Sequence, residues 1–418
     1  ATWQKITNGL PENTPVHVVR EDPNQRGFLV AGTDTGLFYS SDRGDHWQAL
    51  KSNFPTAAVY DVQFEKAKHD LLVATHGRGI LILDDIRPLE EFTPAIQSSA
   101  FHVFKPESGV MYHMWRSDEG QGVAYFAPNA PTGAVIDYYL KSAIKPTPEQ
   151  RREHRGPVKI VVTDDHGNTV ATDYGPGKEG INRFVWTMQY EGATMLKYEK
   201  MPRPNAFFNP NRGPRVAPGA YKVSVTADGQ TESQSVTVEP DPNLHVDPAN
   251  FRAEAQAGLQ ARNEMSAINE VINRIDRINK ELKEFRSTIQ GSEDKAEQAK
   301  YQPVIARGHE LQKKLTAMKN AIYSPDVQHA VAEDDIHELT DFHGQLNRVV
   351  FEAGGAYGEA PNALMRRQMT RLFAKADQTI KQFNDVLRTD IAGYNKTAES
   401  AGAPTLFGGS PITVKPVK

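Results

Sequence analysis

The chain has no cysteine in its 418 residues. Disulfides, thiolate metal sites and cysteine nucleophiles are therefore excluded, although the absence does not choose a compartment. No run of about 18 apolar residues occurs, so no segment reads as a membrane-spanning helix. An excess of either charge is missing too: 52 acidic against 48 basic side chains leave a net charge of −4. That balance gives no basic footprint for nucleic acid and no polybasic anchor for a membrane surface. No signal peptide is seen, and the chain opens at Ala1 without an initiator Met, which reads as a mature or trimmed chain. With 39% hydrophobic and 24% charged residues, the composition is that of a globular protein with sizeable cores. The length suggests two to four domains at roughly 100–200 residues each.

The pattern changes character along the chain. Residues 1–87 are short β runs divided by turn residues. FLVAGTDTGLFY (28–39) and LLVATHGRGILIL (71–83) share one layout of strand, Gly-containing turn and strand. The two units lie about 42 residues apart, which matches the roughly 40–50-residue period of propeller blades. Residues 88–132 read as a connector. Residues 133–240 return to β, with DDHGN and ADGQ as turn signals, and predict a small β-sandwich interrupted by a Pro-rich aromatic insertion at 191–219. From 247 to 395 apolar residues step by three or four, as at Met265, Ile268, Ile272, Ile275, Ile278 and Leu282. Such stripes predict an antiparallel helical bundle. The stretch 396–418 is rich in Gly, Pro and Thr and reads as an extended tail.

One stretch, SSDRGDHW (40–47), gathers hydroxyls, carboxylates, an arginine and an imidazole. Its spacing is Ser40-x-Asp42-x-Gly44-x-x-Trp47, placed at a hairpin tip. Ser and Asp there can accept backbone N–H groups, Gly44 can supply a positive φ, and Trp47 can bury its ring while its N–H finds a carbonyl. The expected role is structural. This spacing resembles the Asp-box, or BNR repeat, with His46 where the motif usually has Thr. ATHGRGILILDDI (74–86) is similar to the closing stretch of the propeller in secreted bacterial sortilin-like (VPS10-like) proteins, often labelled glycosyl hydrolases. GAVIDYYL, NRFVW and PGAYKVSV look like the Ig-like domain that follows it.

The resemblance implies the C-terminal part of such a protein: a multidomain β plus α chain with terminal propeller blades, an Ig-like β-sandwich and an antiparallel helical bundle. It implies a secreted or periplasmic location. Two blades do not close a ring of four to eight, so a further polypeptide is expected to supply the rest. His76, Arg78, Asp84 and Asp85 are the possible ligand-face residues, with an Arg78–Asp84/Asp85 clamp as the structural reading. No cofactor and no metal are expected. Acidic residues and histidines at Glu333, Asp334, His337, Glu338, Asp341 and His343 have chelate-like helical spacing, but charged helix faces are usually solvated. The function implied is non-catalytic binding of protein, peptide or glycan. The alternative is a glycoside hydrolase, which needs two carboxylates about 5–9 Å apart; the sequence places no such pair.

Overall fold

A computed structural model describes residues 2–50, 53–113, 130–197, 212–323, 341–355 and 357–417. The chain divides into two units: residues 1–187 with 220–239, and residues 188–219 with 240–418. Strands and helices both contribute, so the chain is multidomain β plus α.

The first unit begins with a four-stranded antiparallel sheet of β1 (Val16–Glu21), β2 (Leu29–Thr33), β3 (Gly36–Ser40) and β4 (Gln48–Ala49), in that order. A three-stranded antiparallel sheet follows, made of β5 (Val59–Glu65), β6 (Asp70–Thr75) and β7 (Ile80–Leu83). Apolar residues from both sheets, among them Phe28, Val30, Leu37, Val59, Val62, Leu71 and Val73, form one core. Gly32 permits that packing: a Cβ on it would lie 2.6 Å from Val59 Cγ1 and 2.8 Å from the Val59 carbonyl, too close for any side chain.

Residues 88–132 are more than a connector. After two short helices, α1 (Arg87–Glu90) and α2 (Pro94–Ser98), they contribute β8 (Phe101–Val103) and β9 (Gly109–Met111). Next come β10 (Ala134–Leu140), α3 (Pro148–Arg152), β11 (Val158–Thr163), β12 (Thr169–Gly175) and β13 (Gly180–Trp186). The short pair β14 (Gln189–Glu191) and β15 (Arg212–Arg215) belongs to the second unit, and β16 (Gly219–Ala227) and β17 (Gln230–Pro240) return to the first. Two further sheets result, ordered β13-β10-β8 and β12-β11-β16-β17-β9. Side chains cross between them: the Tyr138 hydroxyl donates to the Pro176 carbonyl, and Trp186 meets Tyr221 edge-on at 5.2 Å. Arg183 on β13 pairs with the buried Asp137 of β10 at 2.9 Å and donates to the carbonyls of Asp84 and Asp85, both at 3.1 Å. This one guanidinium ties the exit of β7 to β10 and β13.

The second unit is helical: α4 (Pro248–Gln290), α5 (Lys295–Ile322), α6 (Phe342–Ala353), α7 (Ala363–Val386), a π turn over Leu387–Ile391, and α8 (Ala392–Ala401). Asp247, Asp294, Asp341 and Asn362 cap four of these helices through side-chain oxygens, satisfying N–H groups that have no partner in the helix. Lys319 on Asp276 at 2.6 Å and Arg286 on Gln312 at 3.1 Å set α5 antiparallel to α4. The stripe Ile268, Val271, Ile272, Ile275, Ile278 and Leu282 is buried against Leu311, Leu315, Leu346, Val349, Leu372 and Phe383.

A second face of α4 is polar and grips extended backbone. Arg262, Ser266, Asn269 and Asn273, spaced by four, three and four, bond residues 191–197 through Glu191 O, Thr194 N, Thr194 O, Met195 O and Lys197 N. Helix extends beyond 395 to Ala401. The residues after it form neither helix nor strand, and their carbonyls are held: Asn395 takes Leu406, Asn384 takes Ile412, Arg277 takes Phe407 and Asn263 takes Lys415. Leu406 and Ile412 are buried.

Candidate functional site

The paired sheets of the first unit have two ends, and the register says which residues meet at each. Val16 pairs with Thr33 and Val59 with Thr75. The start of β1, the β2–β3 turn, the start of β5 and the β6–β7 turn therefore gather at one end. There His17 stacks on Tyr60, with ring centres 4.2 Å apart and planes 12° from parallel, and Tyr60 meets His76 at 5.5 Å. Asp34 holds the His17 imidazole at 2.5 Å. Tyr60 is 52% exposed, and His76 and Arg78 are also exposed. The turn that presents Arg78 is built by Gly77 and Gly79, both at positive φ (79° and 73°), which glycine adopts at no steric cost. Thr75 closes it by donating to the Gly79 carbonyl at 2.7 Å. These rings make a shelf, His17 and Tyr60 stacked and His76 tilted by 41°, with Asp34 on His17 and Arg78 on the adjacent turn.

The opposite end is closed on itself. The Ser40 hydroxyl accepts the Gly44 N–H at 2.8 Å and donates to Asp42 at 2.7 Å; Asp42 in turn accepts the His46 N–H at 2.9 Å. Burial is the largest single influence and pushes the Asp42 carboxyl up, but the bonds from His46 and Ser40 together outweigh it and hold the carboxyl below its usual range. The buried Trp47 donates its indole N–H to the Ile6 carbonyl at 2.8 Å. Every polar group of the motif named here has a partner within the same sheet region.

The four ligand-face residues expected from sequence do not meet. His76 and Arg78 sit on the shelf end, whereas Asp84 and Asp85 follow β7 at the other end, where Leu71 pairs with Leu83. The expected Arg78 clamp is absent. Asp85 pairs with Arg87 at 2.6 Å, and Arg183 binds the two backbone carbonyls. Burial, then the carboxylate of Asp70, pushes the Asp84 carboxyl up.

Beside Asp85 lies a group that sequence reading missed. An open cleft of about 720 Å³ is lined by residues including Asn24, His69, Arg87, Glu90, Glu91 and Lys105. Glu90 is buried, and both its oxygens lie 2.9 Å from His69 Nδ1. Burial, followed by hydrogen-bonding contact with the carboxyl of Asp22, pushes Glu90 up to about 7, while His69 pulls it down. Asp22 is only 3% exposed; its Oδ1 accepts the Asn24 N–H at 2.7 Å, and its Oδ2 has no donor among the described groups. These residues escape a sequence search because 68 positions separate Asp22 from Glu90.

Among the described residues, no group of three His, Asp or Glu side chains is placed to hold a metal ion. Asp341 caps α6 through the Gly344 N–H at 2.6 Å. His343 is buried and bonded to Asn269 at 2.8 Å, and burial lowers its imidazole to about 4. Glu333, Asp334, His337 and Glu338, and the aromatic run at 198–208, lie outside the described residues.

No helix among the described residues is long and apolar enough to cross a membrane. No family model matches the chain, and no curated protein does. Two solved structures are similar to parts of it. One is the extracellular domain of a putative one-component system from B. thetaiotaomicron, at 11% identity and TM-score 0.16 over 56% of this chain. The other is the BSP domain of a biofilm-associated protein, at 10% identity and TM-score 0.14 over 55% of this chain. The similarity spans 26% of each of those chains, and at such scores neither carries an argument about fold or role.

Proposed function

We propose that this chain is a non-catalytic extracytoplasmic binding or scaffold protein whose first two sheets are the last blades of a β-propeller. In this reading the sheets β13-β10-β8 and β12-β11-β16-β17-β9 form the Ig-like sandwich, and a protein, peptide or glycan binds at the shelf end. The stacked rings of His17 and Tyr60, with the exposed His76 tilted beside them, carry this reading. Rings fixed by neighbours offer contact area at low entropic cost, and Asp34 and Arg78 add directional bonds beside them. The blade assignment draws its support from the Asp-box bonding of Ser40, Asp42 and Trp47 and from the core shared by the two sheets.

A further polypeptide carrying more blades is the partner proposed. Among the described residues no strand pairs with the outer side of β7, and Ile80 and Ile82 on it are 70% and 59% exposed. An open apolar edge of this kind is a pairing surface. The hydrolase alternative gains little from Asp22 and Glu90. Both carboxyls already have protein partners: Glu90 lies on His69 Nδ1 at 2.9 Å through both oxygens, and Asp22 accepts the Asn24 N–H at 2.7 Å.

The test is binding of the purified chain to a glycan array and a peptide library at pH 7, repeated with Tyr60→Ala. Specific binders lost in Tyr60→Ala support the shelf. Binders indifferent to that change, or turnover of any array glycan, contradict it.

A further inference from the structure

We propose that α4, α7 and α8 form a groove that binds an extended peptide by its backbone. Residues 403–415 fill this groove as an exchangeable strap, and the strap of a second copy of the chain can occupy it instead.

Two asparagines carry the recognition. Asn395 on α8 donates to the Leu406 carbonyl at 2.9 Å and accepts the Leu406 N–H at 2.8 Å. Asn384 on α7 treats Ile412 in the same way, with both bonds at 2.9 Å. A side-chain amide holds both a donor and an acceptor, so each asparagine offers the strap what a residue of a neighbouring β-strand would offer. Asparagine is a weak helix former, yet both lie inside the continuous helical run 363–401. From α4, Arg277 donates to the Phe407 carbonyl at 2.8 Å, Arg274 to those of Gly408 and Ser410, and Asn263 to that of Lys415 at 2.9 Å. Spacings of 11 and three keep these α4 residues on one face of the helix. The device recurs on the other polar face of α4, where Asn273 accepts the Lys197 N–H at 2.8 Å and donates to the Met195 carbonyl at 2.9 Å.

Selectivity falls to few side chains. Of residues 403–415, Ala403, Leu406 and Ile412 alone are buried, and all three enter the apolar core of the helices. The ligand is therefore an extended peptide with aliphatic side chains six residues apart, and the backbone bonds place no demand on the rest. The strap has no helix or strand of its own. Gly402, at a positive φ of 71°, ends α8 immediately ahead of it, so the strap can lift at that joint without unwinding a helix. Every group that grips it belongs to a helix, and a second copy carries the same strap. Identical contacts in cis and in trans are the condition for exchange between copies.

The test uses the full chain carrying Leu406→Asp and Ile412→Asp, which vacates the groove, and a fluorescein-labelled peptide of residues 403–417 followed by fluorescence anisotropy. Saturable binding is expected. It should be at least about tenfold weaker on the wild-type chain, where the tethered strap competes at an effective concentration on the order of millimolar. Adding Asn384→Ala and Asn395→Ala to the vacated chain should also weaken binding at least about tenfold, since hydrogen bonds to both residues are lost. A vacated chain that ignores the peptide, or binds a scrambled sequence equally well, overturns the groove. So does binding that is indifferent to the asparagine changes or equal on the wild-type chain. If the vacated chain does not fold, hydrogen exchange of the wild-type chain decides, corrected for intrinsic rate. The Leu406 and Ile412 amides should exchange at least about tenfold faster than those of Ile272 and Ile275 in the α4 core, through opening of the strap alone. Equal rates overturn the exchangeable strap.

Discussion

The two ends of the paired sheets hold much the same residue types and use them differently. At the Asp-box end, Ser40, Asp42 and Trp47 bond backbone groups of the turn and of a segment about 40 residues away. At the shelf end, His17, Asp34, Tyr60 and His76 touch one another and stay open to solvent. A histidine, an aspartate and an arginine in one hairpin are thus no guide to chemistry by themselves. What separates a brace from a contact surface is whether the polar atoms end on the protein's own backbone.

Substitutions should separate the two ends, and the largest effect belongs to Trp47→Ala. It removes a buried ring and strands the Ile6 carbonyl, at a cost of about 3–5 kcal/mol, visible as a lower midpoint in urea. Ser40→Ala leaves the Gly44 N–H without its acceptor and should cost about 1–3 kcal/mol. His76→Ala and Arg78→Ala should lie within about 0.5 kcal/mol of the parent, as exposed side chains do. If either shelf variant destabilises as much as Ser40→Ala, the shelf is a brace too and the contrast collapses.

The helical unit offers a comparison in pH. Burial, ahead of all other causes, raises Glu254 and Glu264 on α4 from 4.5 to about 7, even though Glu254 accepts the Gly358 N–H at 2.6 Å. Their contribution to stability is full below about pH 4.5 and is lost as pH rises through about 7. His343 has the opposite sign: its contribution is present above 6.5 and is lost as pH falls through about 4. Glu264→Gln should flatten the loss between about pH 4.5 and 7 in a pH series of thermal midpoints, and His343→Gln the loss between about 6.5 and 4. An unchanged slope in either variant contradicts the burial assigned to that group.

How much was legible in the sequence follows from the reach of each signal. Hairpins such as 71–83 and stripes such as 265–282 are local patterns, and the strands and helices stand where those patterns lie. Strands β8 and β9, at three residues each, are too short to show alternation. Arg262, Ser266, Asn269 and Asn273 look like a solvated helix face, because nothing in their spacing tells of an extended segment lying on them. His76 and Arg78 stand out in the sequence because both lie on one Gly-rich turn. Their shelf neighbours His17, Asp34 and Tyr60 come from three other segments and are joined to them only by sheet register.

The most direct measurement pairs stability with binding in two variants, Ser40→Ala and His76→Ala, each followed by urea unfolding and by the same glycan and peptide arrays. The account expects Ser40→Ala to lose stability and keep its binders under folding conditions, and His76→Ala to keep stability and lose them. The reverse pattern, or loss of both properties together in His76→Ala, would contradict it.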